Sequence, residues 1–377
     1  MGIGSAGSFK TLGKVTVKSL LCFAVATTTA ILIGMTFINV FHPGRGLNLA
    51  AGTPSAGTAS TAAAKSLNLV QYLVDIVPIN VVDAMARQDI LQMVVWATVF
   101  GIATAMLGEE GKPMVKLAEM IAKIMFKFMG IIYRLAPYGI GAMMAFTVGK
   151  FGLAMLIPLA KYILVVWGAL LFFVALMLAG PLIVCGISLR SAIRALKDPF
   201  LVAFTTTAGD TAIPVSLERL EEFGVPRHIY SFTVLTAATF NLTGSTLYIA
   251  AATMFVGQVY GFHPGLAQQF AIFLTLTLAT KGVSKGPGGS LVVLAAVLST
   301  VGFPVEGIGI VLGIDRVLDM PRTGINAISH CVAAMVVAKW EKALGRPVWA
   351  AEALAGSTGS EGRKTALAEE IISSRHI

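Results

Sequence analysis

The densest set of chemically able side chains lies in Gly313–His330, GIDRVLDMPRTGINAISH. Asp315, Asp319, Arg322, Thr323 and Asn326 are four, three, one and three residues apart. On a helix of about 3.6 residues per turn, that spacing makes one polar stripe. Arg322 offers a planar fork that can hold a carboxylate through two parallel hydrogen bonds. Asp319, one turn away, suits an ammonium group, and Asn326 can donate to a second carboxylate. A cation site, an anion site and an amide on one face fit an acidic amino acid. The competing reading is a structural Asp319–Arg322 pair that solvates itself. Pro321 removes one backbone hydrogen bond and frees the Val317 carbonyl, which predicts a kink or an extra acceptor.

The setting of this stripe is a membrane. The chain has 377 residues, of which 56% are hydrophobic and 12% charged, about half the charge of a soluble domain. Its mean hydropathy is +0.82. This excludes a cytosolic globular protein, a disordered chain and a nucleic-acid binder. Ionisable groups inside a membrane are costly and mark a functional pathway. The net charge of +9 sits between long apolar runs, as the positive-inside rule describes. Cys22, Cys185 and Cys331 are scattered, without disulfide or metal spacing.

A spanning helix needs about 20 mostly apolar residues. Ser19–Phe41, Tyr162–Ile187 and Ile229–Phe262 are long enough and uncharged. Shorter runs at Leu91–Leu107, Leu135–Gly149, Pro264–Thr280, Gly286–Val305 and Thr323–Ala338 predict tilted, broken or re-entrant helices. The start of the chain has signal-peptide character, with Lys10, Lys14 and Lys18 before Leu20–Ala26. Its apolar run continues to Phe41, so we read a span with a cytoplasmic N-terminal flank. Counting spans from there puts Lys112 and Lys116, then Arg190, Arg194 and Lys197, then Arg227, and finally Lys339, Lys342 and Arg346 on the cytoplasmic side. The expected protein is multi-pass, in the inner or plasma membrane, with its C-terminus in the cytoplasm.

Two stretches read as hairpin tips. Ala203–Pro214 is AFTTTAGDTAIP and Ala279–Ser290 is ATKGVSKGPGGS. Each is small and polar, contains Gly and Pro, and has helical sequence on both sides. Such a segment lets backbone leave the helix and approach a ligand. By the span count the first hairpin enters from inside and the second from outside. The plainer alternative is two extramembrane loops. No nucleophile–base pair or phosphate loop has a fitting context, and the five histidines have no metal spacing, so an enzyme is not expected.

At these residues the chain resembles the dicarboxylate/amino acid:cation symporter family, the glutamate-transporter homologues. The likeness runs from about Ser8 to Leu344 through LGEEGKP (Leu107–Pro113), RLAPYGI (Arg134–Ile140), NLTGSTLY (Asn241–Tyr248) and VEGIGIVLGIDRVLDMPRT (Val305–Thr323). The last motif is the most specific. The resemblance implies an all-α polytopic membrane protein of the glutamate-transporter-homologue fold with two re-entrant helical hairpins. It implies that Arg322 grips the substrate side-chain carboxylate, Asp319 the amino group and Asn326 the main carboxylate. Thr323 joins them on the stripe, and Ser245 stands where the family has a substrate-binding Thr. Backbone around Thr207, Gly209 and Gly286 completes the pocket. Members that carry plain C4-dicarboxylates usually lack the acid matching Asp319, so its presence leans towards aspartate or glutamate.

The departures from the family pattern concern cations. The motif NMDGT or NLDGT carries a sodium-binding Asp where this chain has Thr243. The last helix usually has an Asp one turn past the Asn, and here that position is His330. Phe23 and Ala26 replace hydroxyl residues of the early helix, while Thr27 and Asn241 remain. Asp210 stands where Ser is common, and Lys285 where the family has Gly. Lys285 either stands in for a bound cation or faces water at the external mouth. Asn241, Thr243, Asp315, His330, Thr27 and Asp210 are therefore the cation-coupling candidates of a degraded Na+ site. Lost carboxylates remove negative charge that neutral residues do not restore. His330, with an ordinary pKa near 6.5, permits proton coupling instead, or is a neutral hydrogen-bonded core residue. No organic cofactor is expected, with Na+ or H+ the coupling ion.

The expected organisation is a first helix of the transport unit at 1–42, an external loop at 43–70 and partial scaffold helices at 71–149. A transport core follows at 150–342, with hairpins near 190–225 and 265–304, and a mobile cytoplasmic tail at 343–377. The family has two further helices ahead of the first one here. Met1 is thus either internal to a longer frame or the start of a truncated homologue. The expected function is an elevator-type secondary transporter of acidic amino acids with weakened sodium coupling, trimeric where the scaffold is complete. The rivals are a C4-dicarboxylate carrier on the same fold and a non-transporting relic or substrate sensor. The partners are a small acidic substrate and the lipid bilayer, with no nucleic acid.

Overall fold

Apolar runs of this length form helices because water is absent and each backbone group must pair within its own segment. The computed structural model describes residues 9–45, 80–86, 106–133, 156–283, 289–345 and 347–349, with isolated positions between 92 and 104 and between 138 and 149. Among the described residues there are helices and no strands. In chain order these are α1 (Phe9–Phe41), α2 (Val81–Ala86), α3 (Lys112–Tyr133) and α4 (Leu156–Phe173), then α5 (Gly180–Val184) and α6 (Leu189–Thr206). They continue as α7 (Ile213–Phe223), α8 (Arg227–Phe240), α9 (Thr243–Val259) and α10 (Leu266–Ala279), then α11 (Gly289–Thr300), α12 (Ile308–Leu312) and α13 (Asp315–Trp340). A π-helical stretch, Val174–Ala179, joins α4 to α5.

Among the described residues, three stretches are long and apolar enough to span a bilayer: Lys14–Phe41, Leu156–Val184 and Arg227–Val259. They fall on the three long runs read from the sequence. The third is not one straight helix. It breaks at Asn241 and Leu242, between α8 and α9, where Asn241 adopts φ −124°, ψ 48°. Apolarity alone does not reveal the break, because both flanks remain hydrophobic. Pro321 lies inside α13, which stays helical from Asp315 to Trp340.

The chain divides into two units. One comprises Met1–Thr29, Leu170–Gly244 and Met320–Ile377; the other comprises Ala30–Ala169 and Ser245–Asp319. In the first, α1, α8 and α13 pack through Phe23, Ala237 and Ala333. The Ser19 and Thr233 hydroxyls share a buried hydrogen bond of 3.1 Å. Lys18 pairs with Glu341 at 2.6 Å and donates to the Trp340 carbonyl at 3.3 Å. In the second unit, Gly34 lets α1 approach α9: a Cβ there would lie 2.6 Å from the Leu247 carbonyl oxygen. Gln258 donates to the Ile38 carbonyl at 2.9 Å and accepts from the Gly44 N–H at 3.2 Å. Tyr162 stacks on Phe255 with ring centroids 4.2 Å apart.

The first expected interruption is described in full, and of the second only the flanks are described. α6 and α7 form an antiparallel hairpin around a tip at Thr207–Ala212. The Thr206 and Thr211 hydroxyls meet at 2.9 Å near the tip, and Arg219 pairs with Asp198 at 2.8 Å farther down. α10 ends in a 3₁₀ turn at Thr280–Gly282, and α11 resumes at Gly289 and packs on α10. Gly286 and Lys285 lie outside the described residues, as do most of the loop expected at 43–70, much of the scaffold segment expected at 71–149 and most of the tail expected at 343–377.

Candidate substrate and cation site

In the first unit, three elements converge on the middle of α13. The first is the hairpin. Gly324 makes room for it: a Cβ there would lie 2.6 Å from the Phe200 ring of α6. One turn on, Ala327 packs with Ala203 and Ala212, so small residues let both sides of the tip sit against α13. Thr207 caps α6 in the left-handed region at φ 53°, ψ 24°. That conformation is unfavourable for a β-branched residue by about 1–3 kcal/mol. The Thr207 N–H bonds the Ala203 carbonyl, and its hydroxyl donates to the Thr206 carbonyl at 2.7 Å. Next to it, Gly209 has open space where a Cβ would be, and Asp210 is exposed.

The second element is the break at Asn241–Gly244. Gly244 presses against α13 so closely that a Cβ would lie 2.3 Å from the Arg322 carbonyl oxygen. Only glycine permits that approach. The Gly244 N–H then donates to Asn326 Oδ1 at 2.8 Å. This bond settles the amide orientation: Oδ1 is turned to Gly244, and Nδ2 is the end that donates elsewhere. One turn along α13, Ser329 accepts from Asn241 Nδ2 at 2.9 Å. Asn241 Oδ1 is thereby left as an acceptor. It and Thr243 Oγ1 are buried oxygens without a hydrogen-bond partner in the structure. Both belong to a non-helical stretch, where backbone groups are also released from the ladder.

The third element is α1. Phe23, Ala237 and Ala333 make an apolar layer. Thr27 and Asn241 each lie one turn beyond their member of that layer, and Ser329 one turn before Ala333, about 5–6 Å along each helix axis. The Thr27 hydroxyl is buried and donates to the Phe23 carbonyl at 2.8 Å.

α13 itself carries the stripe. Arg322 is 1% exposed, the largest of the fully buried side chains, and Thr323, Asn326, Ser329 and His330 are buried beside it. Asp315 and Asp319, at the start of the helix, are also buried, as is Ser245 in α9; all three belong to the second unit. A buried guanidinium persists only with partners for its charge and donors. The set suits anion recognition by Arg322 and Asn326. It also suits a hard cation held by neutral oxygens at Asn241 and Thr243. Among the described residues, no group of three or more His, Cys, Asp and Glu is placed to hold a metal ion.

Gly244, Gly324 and Ser329 are contributors that the sequence reading did not single out. The two glycines are visible in NLTGS and PRTGIN, but a glycine demanded by close packing looks the same as one in a flexible turn.

A model of the sodium:dicarboxylate symporter family matches residues 1–340. The proton/sodium-glutamate symport protein of Geobacillus stearothermophilus is 38% identical over 344 residues, covering 90% of this chain and 82% of that protein. The proton/glutamate-aspartate symporter of Bacillus subtilis (strain 168) is 37% identical over 352 residues, with 93% and 84% covered. The C4-dicarboxylate transport protein of Laribacter hongkongensis (strain HLHK9) is 37% identical over 355 residues, with 93% and 80% covered.

Proposed function

Starting from the fact that the chain belongs to the sodium:dicarboxylate symporter family, an integral membrane transporter family and not an enzyme family, we propose that it carries acidic amino acids, aspartate or glutamate, by an elevator motion. The observation that carries this reading is the pair of buried groups on α13: Arg322, 1% exposed, and Asn326, whose Oδ1 is engaged by the Gly244 N–H. One is a bidentate carboxylate receptor, the other a preset donor. Asp319 precedes Arg322 by three residues on the same helix and would receive the amino group.

In this reading, Arg322 takes the side-chain carboxylate and Asn326 Nδ2 the main carboxylate. Thr323, Ser245 and the backbone at Thr207 and Gly209 close the site. Gly286, in the second hairpin, takes the corresponding role there. Glycine at 209 leaves room for a ligand to reach the main chain. The two hairpins are re-entrant, and the transport core expected at 150–342 slides against scaffold helices within a homotrimer. The N-terminal flank and the C-terminus face the cytoplasm. A C4-dicarboxylate remains the rival substrate, and one of the relatives bears that name. Such a substrate lacks the ammonium that Asp319 would receive in this reading.

The coupling ion is Na+ or H+, as the names of the bacterial relatives include both. Asn241 Oδ1 and Thr243 Oγ1 are the hard, neutral donors available to sodium. Neutral donors bind a cation more weakly than a carboxylate would, so sodium coupling is weakened. Thr27, Asp315 and Asp210 are secondary candidates; Thr27 is committed to the Phe23 carbonyl and Asp210 is exposed. His330, buried on the same helix as Arg322, supplies a titratable group for protons.

The test is uptake of labelled L-aspartate into proteoliposomes, in sodium and in choline, with succinate as competitor and with an imposed pH gradient. Aspartate uptake that succinate inhibits poorly is expected. A modest dependence on sodium supports the weakened site. A steep one contradicts it, and indifference to the pH gradient removes His330 from coupling. Binding without flux would favour a substrate sensor.

A further inference from the structure

The chain leaves α13 at Trp340 and returns to the base of the first hairpin. Three contacts, independent of the tip, tie it there. The Gly345 N–H donates to the Gly224 carbonyl at 2.9 Å. The Trp349 ring lies 6.0 Å, centroid to centroid, from the Phe223 ring at the end of α7. The Arg194 guanidinium of α6 stands over the same indole at 5.1 Å. Trp349 thus touches one residue from each arm of the hairpin, at the end opposite its tip.

The local chemistry explains the seat. Gly224 ends α7 in the left-handed conformation at φ 93°, and its N–H serves the Leu220 and Glu221 carbonyls. Its own carbonyl is beyond the helix and needs a donor, which Gly345 provides. Arg194 and Phe223 present a cation and an apolar ring, and an indole is the side chain that satisfies both. Along the arms, polar ties between α6 and α7 include the Thr206–Thr211 hydroxyl pair and the partly exposed Arg219–Asp198 pair, beside the buried Ala192, Ala195 and Leu220. An ion pair with that exposure contributes little. Trp349 adds a third element that bridges the two arms at the base.

We propose that Trp349 is a positioning residue: it clasps α6 to α7 and so holds the hairpin whose tip carries Thr207 and Gly209. The tip's part in substrate binding rests on the proposed function; the clasp itself does not. A hairpin whose base splays would shift its tip backbone relative to Arg322 and Asn326. A hairpin fixed at both ends presents that backbone in one place.

The experiment uses the full chain in lipid nanodiscs, comparing wild type, Trp349→Ala, Trp349→Phe and Arg194→Gln. Hydrogen exchange is followed in peptides from 189–223 and, as an internal reference, from 243–259. Trp349→Ala is expected to raise exchange at least threefold in both arms of the hairpin, with the reference unchanged. Trp349→Phe should restore most of the protection, and Arg194→Gln should raise exchange mainly in α6. The same variants in proteoliposomes should raise the KM for aspartate several-fold while the maximal rate changes less than twofold. Unchanged exchange in the hairpin with Trp349→Ala overturns the clasp. So does a rise that extends equally to 243–259, which would mean general loosening. Raised exchange with an unaltered KM overturns the positioning role. Absence of aspartate uptake by wild type counts against the proposed function, while the exchange data still judge the clasp.

Discussion

Replacing Thr243 by Asp tests the account of the cation site most directly. Thr243 is fully buried, its hydroxyl oxygen has no hydrogen-bond partner, and a second such oxygen, Asn241 Oδ1, lies two residues away. The substitution is close in size and delivers one negative charge to this place. At about 4 Å and an effective dielectric near 20, attraction between the carboxylate and a monovalent cation is about 4 kcal/mol. Desolvating the carboxylate takes several kcal/mol, part of which the cation recovers. The net expectation is about 1.4–2.8 kcal/mol, or one to two decades in sodium affinity. Two assays read it. The sodium concentration for half-maximal aspartate uptake should fall at least tenfold. Thermal unfolding in detergent should become sodium-dependent, gaining about 2.7 kcal/mol at a hundredfold excess over Kd. Without sodium, the variant should be less stable than wild type, because its buried charge is unpaired. A variant with unchanged sodium response in both assays would refute the assignment of these two oxygens to a cation.

Other substitutions address the anion groups and the close contacts. Arg322→Lys keeps the charge but loses the fork; aspartate uptake at low substrate should fall at least a hundredfold, as measured by initial rates. Asp319→Ser should shift preference from aspartate towards succinate by at least tenfold in competition assays, since the ammonium loses its partner and a plain diacid no longer meets a further negative charge. Gly244→Ala puts a methyl 2.3 Å from the Arg322 carbonyl oxygen. It should lower stability by about 1–3 kcal/mol or more and weaken aspartate binding, because relief of the clash moves the N–H away from Asn326. Asn326→Asp keeps an acceptor for Gly244 but replaces the donor with negative charge; calorimetry should find aspartate binding lost while the fold persists.

Much of the architecture follows from the linear order of residues. Long uncharged runs must be helices in lipid, so α1, α4 with its extension, and α8 with α9 fall where apolarity places them. The polar stripe on α13 is a matter of periodicity: residues at intervals of three and four share a face, and the structure buries them. The tip of the first hairpin is legible because Thr-Thr-Thr-Ala-Gly-Asp cannot continue an apolar helix. These are local properties, and local chemistry determines them.

Tertiary packing decided the rest. Nothing in NLTGS says that α8 and α9 part at Asn241, since the flanking residues are equally apolar. The break is held by Asn241 on Ser329 and by Gly244 on Asn326, partners more than 80 positions away. Which end of the Asn326 amide faces a ligand depends wholly on that contact. The three small residues Ala203, Ala212 and Ala327 become a docking surface only when the helices bearing them meet. Trp349, a single aromatic residue after a basic segment, gains its role from an arginine and a phenylalanine in the two arms of a distant hairpin. The sequence by itself determined which residues carry charge, which segments avoid water and which face of α13 is polar, because these depend on residue type and spacing. The structure alone decided which buried oxygens lack a donor and which groups are aimed, because that depends on contacts between segments far apart in the chain.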